Sequence, residues 1–208
     1  MSSVIRIVVS SSGFLANDVG PIAVASDDAD EYVAAVVAAL EGVDFSNLSN
    51  IMVEGSENGL VVLDNSGQPL RQILWGSSTS SSADADWCNM QFAEPWWLDE
   101  VGVVPDFSHS VAKMSWLHRN EPAIWNKMVR ACSPADYIRW RLVEGSSNSL
   151  VTSATEAERT GLWSTTNQRY SSAVLELIDR ERDWTNVLPT VKAKGTIVGS
   201  LFGTLVNL

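Results

Sequence analysis

Cysteine is scarce: the 208 residues contain only Cys88 and Cys132, far apart and in no paired motif. That spacing excludes a disulfide framework and a Cys-based metal site, and both thiols are expected to be reduced, as in a cytoplasmic protein. Basic residues are also few. Fourteen Lys and Arg stand against 25 Asp and Glu, for a net charge of -11, and they form no cluster. Nucleic acid and anionic membrane surfaces are therefore poor partners, because both need grouped cations. No signal-peptide pattern opens the chain, and its longest apolar tract, TIVGSLFGTLVNL, is too short to cross a bilayer.

The chain is rich in tryptophan, with nine. Tryptophan serves cores and ligand clefts alike, and Trp116, Trp125 and Trp140 lie on helical segments flanked by apolar residues, as core packing requires. VIRIVV (Val4–Val9) reads as a buried strand running into SSSG. SDDADEYVAAVVAALEG reads as a helix with an Asp28/Glu31 capping box, an apolar stripe of Val33, Val36, Val37 and Leu40, and a stop at Gly42. Ile51–Val53 and Leu60–Leu63 read as short strands, and DNSG turns the chain toward a third ending at Trp75.

GSSTSSSADAD, Gly76 to Asp86, reads as a polar loop. Helices follow at VAKMSWLHR, at NEPAIWNKMVR with Asn120 as its cap and Pro122 in the first turn, at SPADYIRWRL with Ser133 and Pro134 in those roles, and near Ser171–Arg180. Strands first and helices after predict one α/β domain with a mixed sheet, spanning residues 1–208 without a linker or repeat. In the tail, Ile197, Val198, Leu201, Phe202, Leu205, Val206 and Leu208 recur at spacings of three and four, which suits an apolar helical stripe. Such a stripe would pack onto the domain or onto a second copy.

LVVLDNSGQPLRQILW, VGVVPDFSHSVAKMSWLHRNEP, CSPADYIRWRL, TGLWS and LPTVKAKGTIVG resemble, in order, the N-terminal domain of FGGY-type sugar kinases, xylulose kinases most closely. The match is collinear over roughly residues 50 to 200 and weak before that. The resemblance implies a ribonuclease-H-like fold of the actin, Hsp70 and hexokinase group. It also implies a two-lobed parent whose second lobe holds most of the ATP site and the general base.

Placed on that family's phosphate loop, Ser10, Ser11 and Ser12 supply hydroxyls, but Val9 stands where the family has Asp. The resemblance also implies that the strand pair between Ser12 and Asp28 is trimmed. VEGSENG aligns with a Gly-Gln-x-His-Gly sugar loop: Gly55 and Gly59 remain, Ser56 replaces Gln, and Asn58 replaces His, with Glu57 between them. Asn58 can hydrogen-bond a hydroxyl but cannot act as a cation. The Asn-Asp-x-Arg after the Leu-Trp strand reads Gly76 to Thr79, and the Thr-Asp turn of the family cleft reads Thr152, Ser153.

Lys113 matches a family position near the cleft, and Asp136 and Tyr137 match the family helix. Lys113 and Asp136 also have plainer readings, Lys113 as a solvated or dipole-facing charge and Asp136 as a first-turn acid complementing the helix dipole. DFSH, Asp106 to His109, has the residue types of a hydrolytic triad but no oxyanion loop beside it. His109 and His118 lack partners at metal spacing, so no metal is expected.

The resemblance thus predicts a degenerate sugar-kinase domain acting as a binding or regulatory pseudokinase module, with no catalytic residue and no cofactor. The alternative is the sugar-binding half of an ATP- and Mg-dependent pentulose kinase that needs a separate C-terminal lobe. The expected partners are a sugar ligand, and a second copy or such a lobe docking through the tail.

Overall fold

The computed structural model describes residues 3–16, 20–143 and 150–208. The chain opens with β1 (Ser3–Ser10), β2 (Gly13–Ala16) and β3 (Gly20–Ala23), an antiparallel meander. The β2–β3 pair, expected to be trimmed, is present and short, each strand with four residues. Helix α1 (Ala29–Leu40) starts at Asp28, whose side chain accepts from the Asp30 and Glu31 amides. It buries Tyr32, Val36 and Leu40, with Val33 and Val37 half-buried beside them.

Next come β4 (Leu48–Gly55), β5 (Gly59–Leu63) and β6 (Leu74–Trp75). The stretch expected as a polar loop instead forms a single 3₁₀ turn at Thr79–Ser81 and then α2 (Ser82–Gln91). Ser and Asp are poor helix formers, so tertiary contacts hold it. Ser81 Oγ donates to Phe107 O at 2.9 Å, buried Asp84 pairs with Arg119, and Cys88 is fully buried. Burial pushes the Cys88 thiol up to about 12.

The chain continues through α3 (Glu94–Val101), α4 (Ser110–Asn120), α5 (Pro122–Lys127), β7 (Arg130–Cys132), α6 (Pro134–Leu142), β8 (Val151–Ser153) and α7 (Ala154–Glu158). It ends with β9 (Trp163–Ser164), β10 (Arg169–Tyr170), α8 (Ser172–Ile178), β11 (Thr190–Lys192), β12 (Ile197–Leu201) and β13 (Thr204–Asn207). Ser133 caps α6 by accepting from the Asp136 amide, with Pro134 at the first helical position. Asn120 does not cap α5: it is the last residue of α4, and Glu121 is the flanking residue.

The main sheet has the order β12-β13-β4-β1-β2-β3, with β13, β4 and β1 parallel to one another. One core lies between this sheet and helices α1 and α6, around Ile5, Ile7, Val9, Ile51, Val53 and Tyr137. A second gathers around the fully buried β5, with Trp97, Met114, Leu117 and Trp125. Of the three tryptophans read as core, Trp125 is buried and Trp116 and Trp140 are half-buried. Cys88 and Cys132 are buried free thiols. Among the described residues no helix is long and apolar enough to cross a membrane.

The tail departs from expectation. It is not a helix but the β12–β13 hairpin, and β13 completes the main sheet beside β4. Burial alternates along β13: Thr204, Val206 and Leu208 are inside while Leu205 is exposed, a period of two. The turn places Phe202 and Gly203 at φ 49° and 83°, the left-handed pair of a tight hairpin, which no helix contains.

Candidate functional site

Because β1 and β4 run parallel and pair Val9 with Gly55, both deliver their following loops to one end of the sheet. Ser56 ties them together: its amide and its hydroxyl both donate to Val9 O, at 2.9 and 3.0 Å. In the serine loop, Ser10 Oγ and Ser12 Oγ lie 3.0 Å apart, and Tyr32 donates its phenol proton to Ser10 O at 2.9 Å. Burial, with Asp27 and Glu57 nearby, pushes the Tyr32 phenol up to about 12. The Ser11 amide donates to Glu57 Oε1, so a carboxylate from the second loop closes over the first.

Of the two glycines in VEGSENG, Gly59 has a steric reason to stay. A side chain on Gly59 would put its Cβ 2.7 Å from Pro134 Cγ. Gly55 is held from both sides, its amide donating to Glu156 Oε1 at 3.4 Å and its carbonyl accepting from Arg159 Nη1 at 2.9 Å. Asn58 is locked in place at its backbone, where its carbonyl accepts from the Gly76 amide at 2.6 Å.

Glu57, Asn58 and Gly76 form one wall of a groove of about 410 Å³. Val103, Ser108, His109 and Arg159 form the rest. Asn58 Nδ2 donates to Ser108 Oγ at 3.4 Å. Ser108 in turn gives its hydroxyl proton and its amide to Asp106 Oδ1, at 2.6 and 2.8 Å. His109 Nδ1 stands 2.9 Å from the same oxygen. Burial alone would raise the Asp106 carboxyl, but the Ser108 bonds and His109 hold it below the usual range. The DFSH residues are therefore neighbours in space, yet Ser108 bonds the carboxylate and not the imidazole. That is a turn brace and not a nucleophile with its base.

Lys113 is not the solvated charge of the plainer reading. It is 1% exposed, and its Nζ donates to Phe107 O at 2.8 Å and Ser78 O at 3.4 Å. It thereby joins the DFSH turn to the segment after Gly76, clamping the groove wall from behind. Burial lowers its pKa to about 8, partly offset by Asp106 and Glu57.

Asp136 and Thr152 do not reach the groove. Both are buried and line a separate internal cavity with Cys132 and Tyr170. Asp136 pairs with buried Arg139, which also donates to Val53 O at 2.7 Å and Val151 O at 3.3 Å, tying α6 to β4 and β8. Burial pushes the Asp136 carboxyl up despite that pairing. Thr152 Oγ1 lies beside the carboxyl but outside normal hydrogen-bond geometry. First-turn placement and internal pairing together account for Asp136 without a ligand.

Of the expected site residues, the groove thus collects Glu57 and Asn58, with Ser56 and the serine loop beside them and Lys113 behind. Arg159 was not foreseen, and no local signal marks it, since it becomes a wall residue only through contact with Gly55 more than a hundred positions earlier. His109 stood in a recognisable stretch, but its place on the groove depends on the α4 packing.

Residues 26–206 match the model of the FGGY family of carbohydrate kinases, N-terminal domain. The chain is 26% identical to a xylulose kinase of Streptomyces rubiginosus over 152 residues, which is 73% of this chain and 30% of that protein. It is 26% identical to a glycerol kinase of Saccharolobus islandicus over 170 residues, 79% of this chain and 33% of the relative. The fold is similar to a crystal structure titled as a xyloylose kinase from Brucella ovis, with TM-score 0.80 and 19% identity, covering 98% of this chain and 46% of that one. It is also similar to a ligand-bound xylulose kinase from Lactobacillus acidophilus, with TM-score 0.79 and 14% identity, covering 99% and 47%. The chain spans about 30% of the first curated relatives it matches.

Proposed function

The chain belongs to the FGGY family of carbohydrate kinases through its N-terminal domain, and from that premise we propose that it binds a small sugar in the groove without transferring phosphate on its own. The observation that carries this reading is the Glu57 carboxylate on the Ser11 amide. Phosphoryl transfer needs free backbone donors for the phosphates and a carboxylate to hold their metal ion. Here the loop amide already has an anion on it, and a second anion would meet like-charge repulsion. At the end of β1 the side chain is Val9, buried in the core. These residues do not fit a magnesium-bound phosphate.

The groove itself suits a polyhydroxylated ligand. Asn58 offers both donors and an acceptor, Glu57 accepts, and Arg159 and His109 donate, a mixture that pairs with sugar hydroxyls in either direction. A pentulose is the ligand class that the xylulose kinase relatives suggest. The second reading, a sugar-binding half completed by a separate ATP lobe, is favoured by the paired Ser10 and Ser12 hydroxyls, which remain at the strand end.

Thermal shift and calorimetry decide between them. A pentulose is expected to raise the melting temperature, because a ligand that binds only the native state stabilises it. Mg-ATP is expected to give no binding. A dissociation constant for Mg-ATP at or below about 100 μM, or phosphate transfer to a pentulose by the purified chain, would overturn the reading.

A further inference from the structure

The sides of the groove come from separate parts of the chain, and a ring of hydrogen bonds joins two of them. The Gly76 amide donates to Asn58 O at 2.6 Å, and just beyond it Ser78 O accepts from Lys113 Nζ at 3.4 Å. The same ammonium donates to Phe107 O at 2.8 Å. Next to Phe107, the Ser108 hydroxyl accepts from Asn58 Nδ2 at 3.4 Å, and the ring is closed. Ser81 Oγ also donates to Phe107 O, at 2.9 Å, so the turn has a second anchor that does not ionise.

Lys113 is the one member of this ring with an ionisable side chain. Hydrogen bonds from an ammonium are roughly twice as strong as neutral ones. Among the described residues its two partners are both backbone carbonyls, with no carboxylate in ion-pair contact. Burying a charge in that way costs stability. Packing alone does not call for it, since an apolar side chain of similar length would fill the space without that cost.

We propose that the Lys113 ammonium is the positioning group of the groove: by holding Ser78 O and Phe107 O it sets the spacing of the two sides, and with it the affinity for the ligand. This rests on the sugar-binding reading of the groove. Lys113 does not touch the ligand itself, because it lies behind the residues that line the space.

A proton on Lys113 is then a condition for tight binding. Burial lowers its pKa to about 8, while Asp106 and Glu57, the acids that face it, pull the other way. His109 lies one turn earlier, its carbonyl accepting from the Lys113 amide at 3.2 Å. Strand β5, packed on the same helix, carries no charge, and Asp84 of α2 is paired with Arg119. As pH rises through about 8 the neutral amine loses its charge-assisted grip, so affinity falls on the alkaline side. Apparent affinity scales with the competent fraction, which is about one tenth at one pH unit above the midpoint.

Carbon-13 NMR and calorimetry on the whole chain test it, with xylulose as the probe. In the ligand-free chain the carbonyl shifts of Ser78 and Phe107 are expected to move together with a midpoint of about 8. They are expected to stay flat in Lys113→Met, whose fold circular dichroism checks. Xylulose is expected to bind the wild type about tenfold more weakly at about pH 9 than at about pH 7, and the variant weakly at both. Titration of His109 would appear in both proteins and cancels in the comparison. Carbonyl shifts that do not titrate, or that titrate equally in Lys113→Met, would overturn the proposal. So would a xylulose affinity that ignores pH while the carbonyls titrate. No xylulose binding at any pH, with the carbonyls titrating, would refute the sugar reading and bear out the hold of Lys113 on the two sides.

Discussion

Lys113 holds its ammonium where two backbone carbonyls and the fields of Asp106 and Glu57 must replace water. Its pKa falls from 10.5 to about 8, so the folded chain releases this proton more readily than the unfolded chain does. Folding stability from this group is then present above the unfolded value and is lost as pH falls through about 8. The buried phenol of Tyr32 acts in the opposite direction at alkaline pH, so the informative quantity is a difference. Urea melts of wild type and Lys113→Met are expected to diverge with pH, the wild type gaining on the variant between about 8 and 10.5. Parallel pH profiles would show that Lys113 is solvated after all.

Trp125 makes a different case at the same scale. It is 1% exposed, its indole donates to Asp179 Oδ2 at 2.8 Å, His118 stacks on it at 4.9 Å, and the Arg182 guanidinium lies 4.3 Å from the ring centre. Trp125→Ala removes the filler and the indole donor to Asp179, so a loss of about 3–5 kcal/mol is expected in urea melts.

Among the elements, α1 and α6 were legible because their starting signals are local. Asp28 and Ser133 each make the capping bond that their spacing announces. Helix α2 was not, since Ser82–Gln91 owes its conformation to Arg119 and to the bond from Ser81 to Phe107, contacts that no window of its own sequence contains. The tail misled for another reason. Its apolar residues satisfy helical spacing and strand alternation together, and the deciding feature is the backbone at Phe202–Gly203. A side chain at Gly203 would meet no atom within 4 Å, so any cost of substitution there is purely conformational. Gly203→Val is expected to cost roughly 1–2 kcal/mol, and Gly203→Asn much less, because Asn tolerates the left-handed region. Equal losses for both in urea melts would contradict a hairpin turn at this position.

For the molecule as a whole, the family framework was readable because five stretches between about residues 50 and 200 resemble the family in order, and the family model matches residues 26–206. The site was readable only in part. Glu57 and Asn58 sit in a contiguous loop, whereas Arg159, His109 and Ser108 meet them only after β4, α4 and α7 have packed. The tail bears on association as well. An apolar stripe awaiting a partner would be dispensable, but β13 pairs along β4 and buries Val206 completely. Deleting residues 200–208 is therefore expected to lower stability sharply, with loss of cooperative melting by circular dichroism. A truncated chain that melts like the full one would restore the tail as a free docking segment, for a second copy or for a separate lobe.

The parallel pairing of β13 with β4 also sets an order of events during synthesis. Strand β4 leaves the ribosome roughly 150 residues before its neighbour exists, an interval on the order of ten seconds or more at ordinary translation rates. For that time a largely apolar strand offers an open edge to any other nascent chain, while β1 already occupies its opposite side. The sheet can be finished only once β13 has emerged, so its central strand waits longest for its second neighbour.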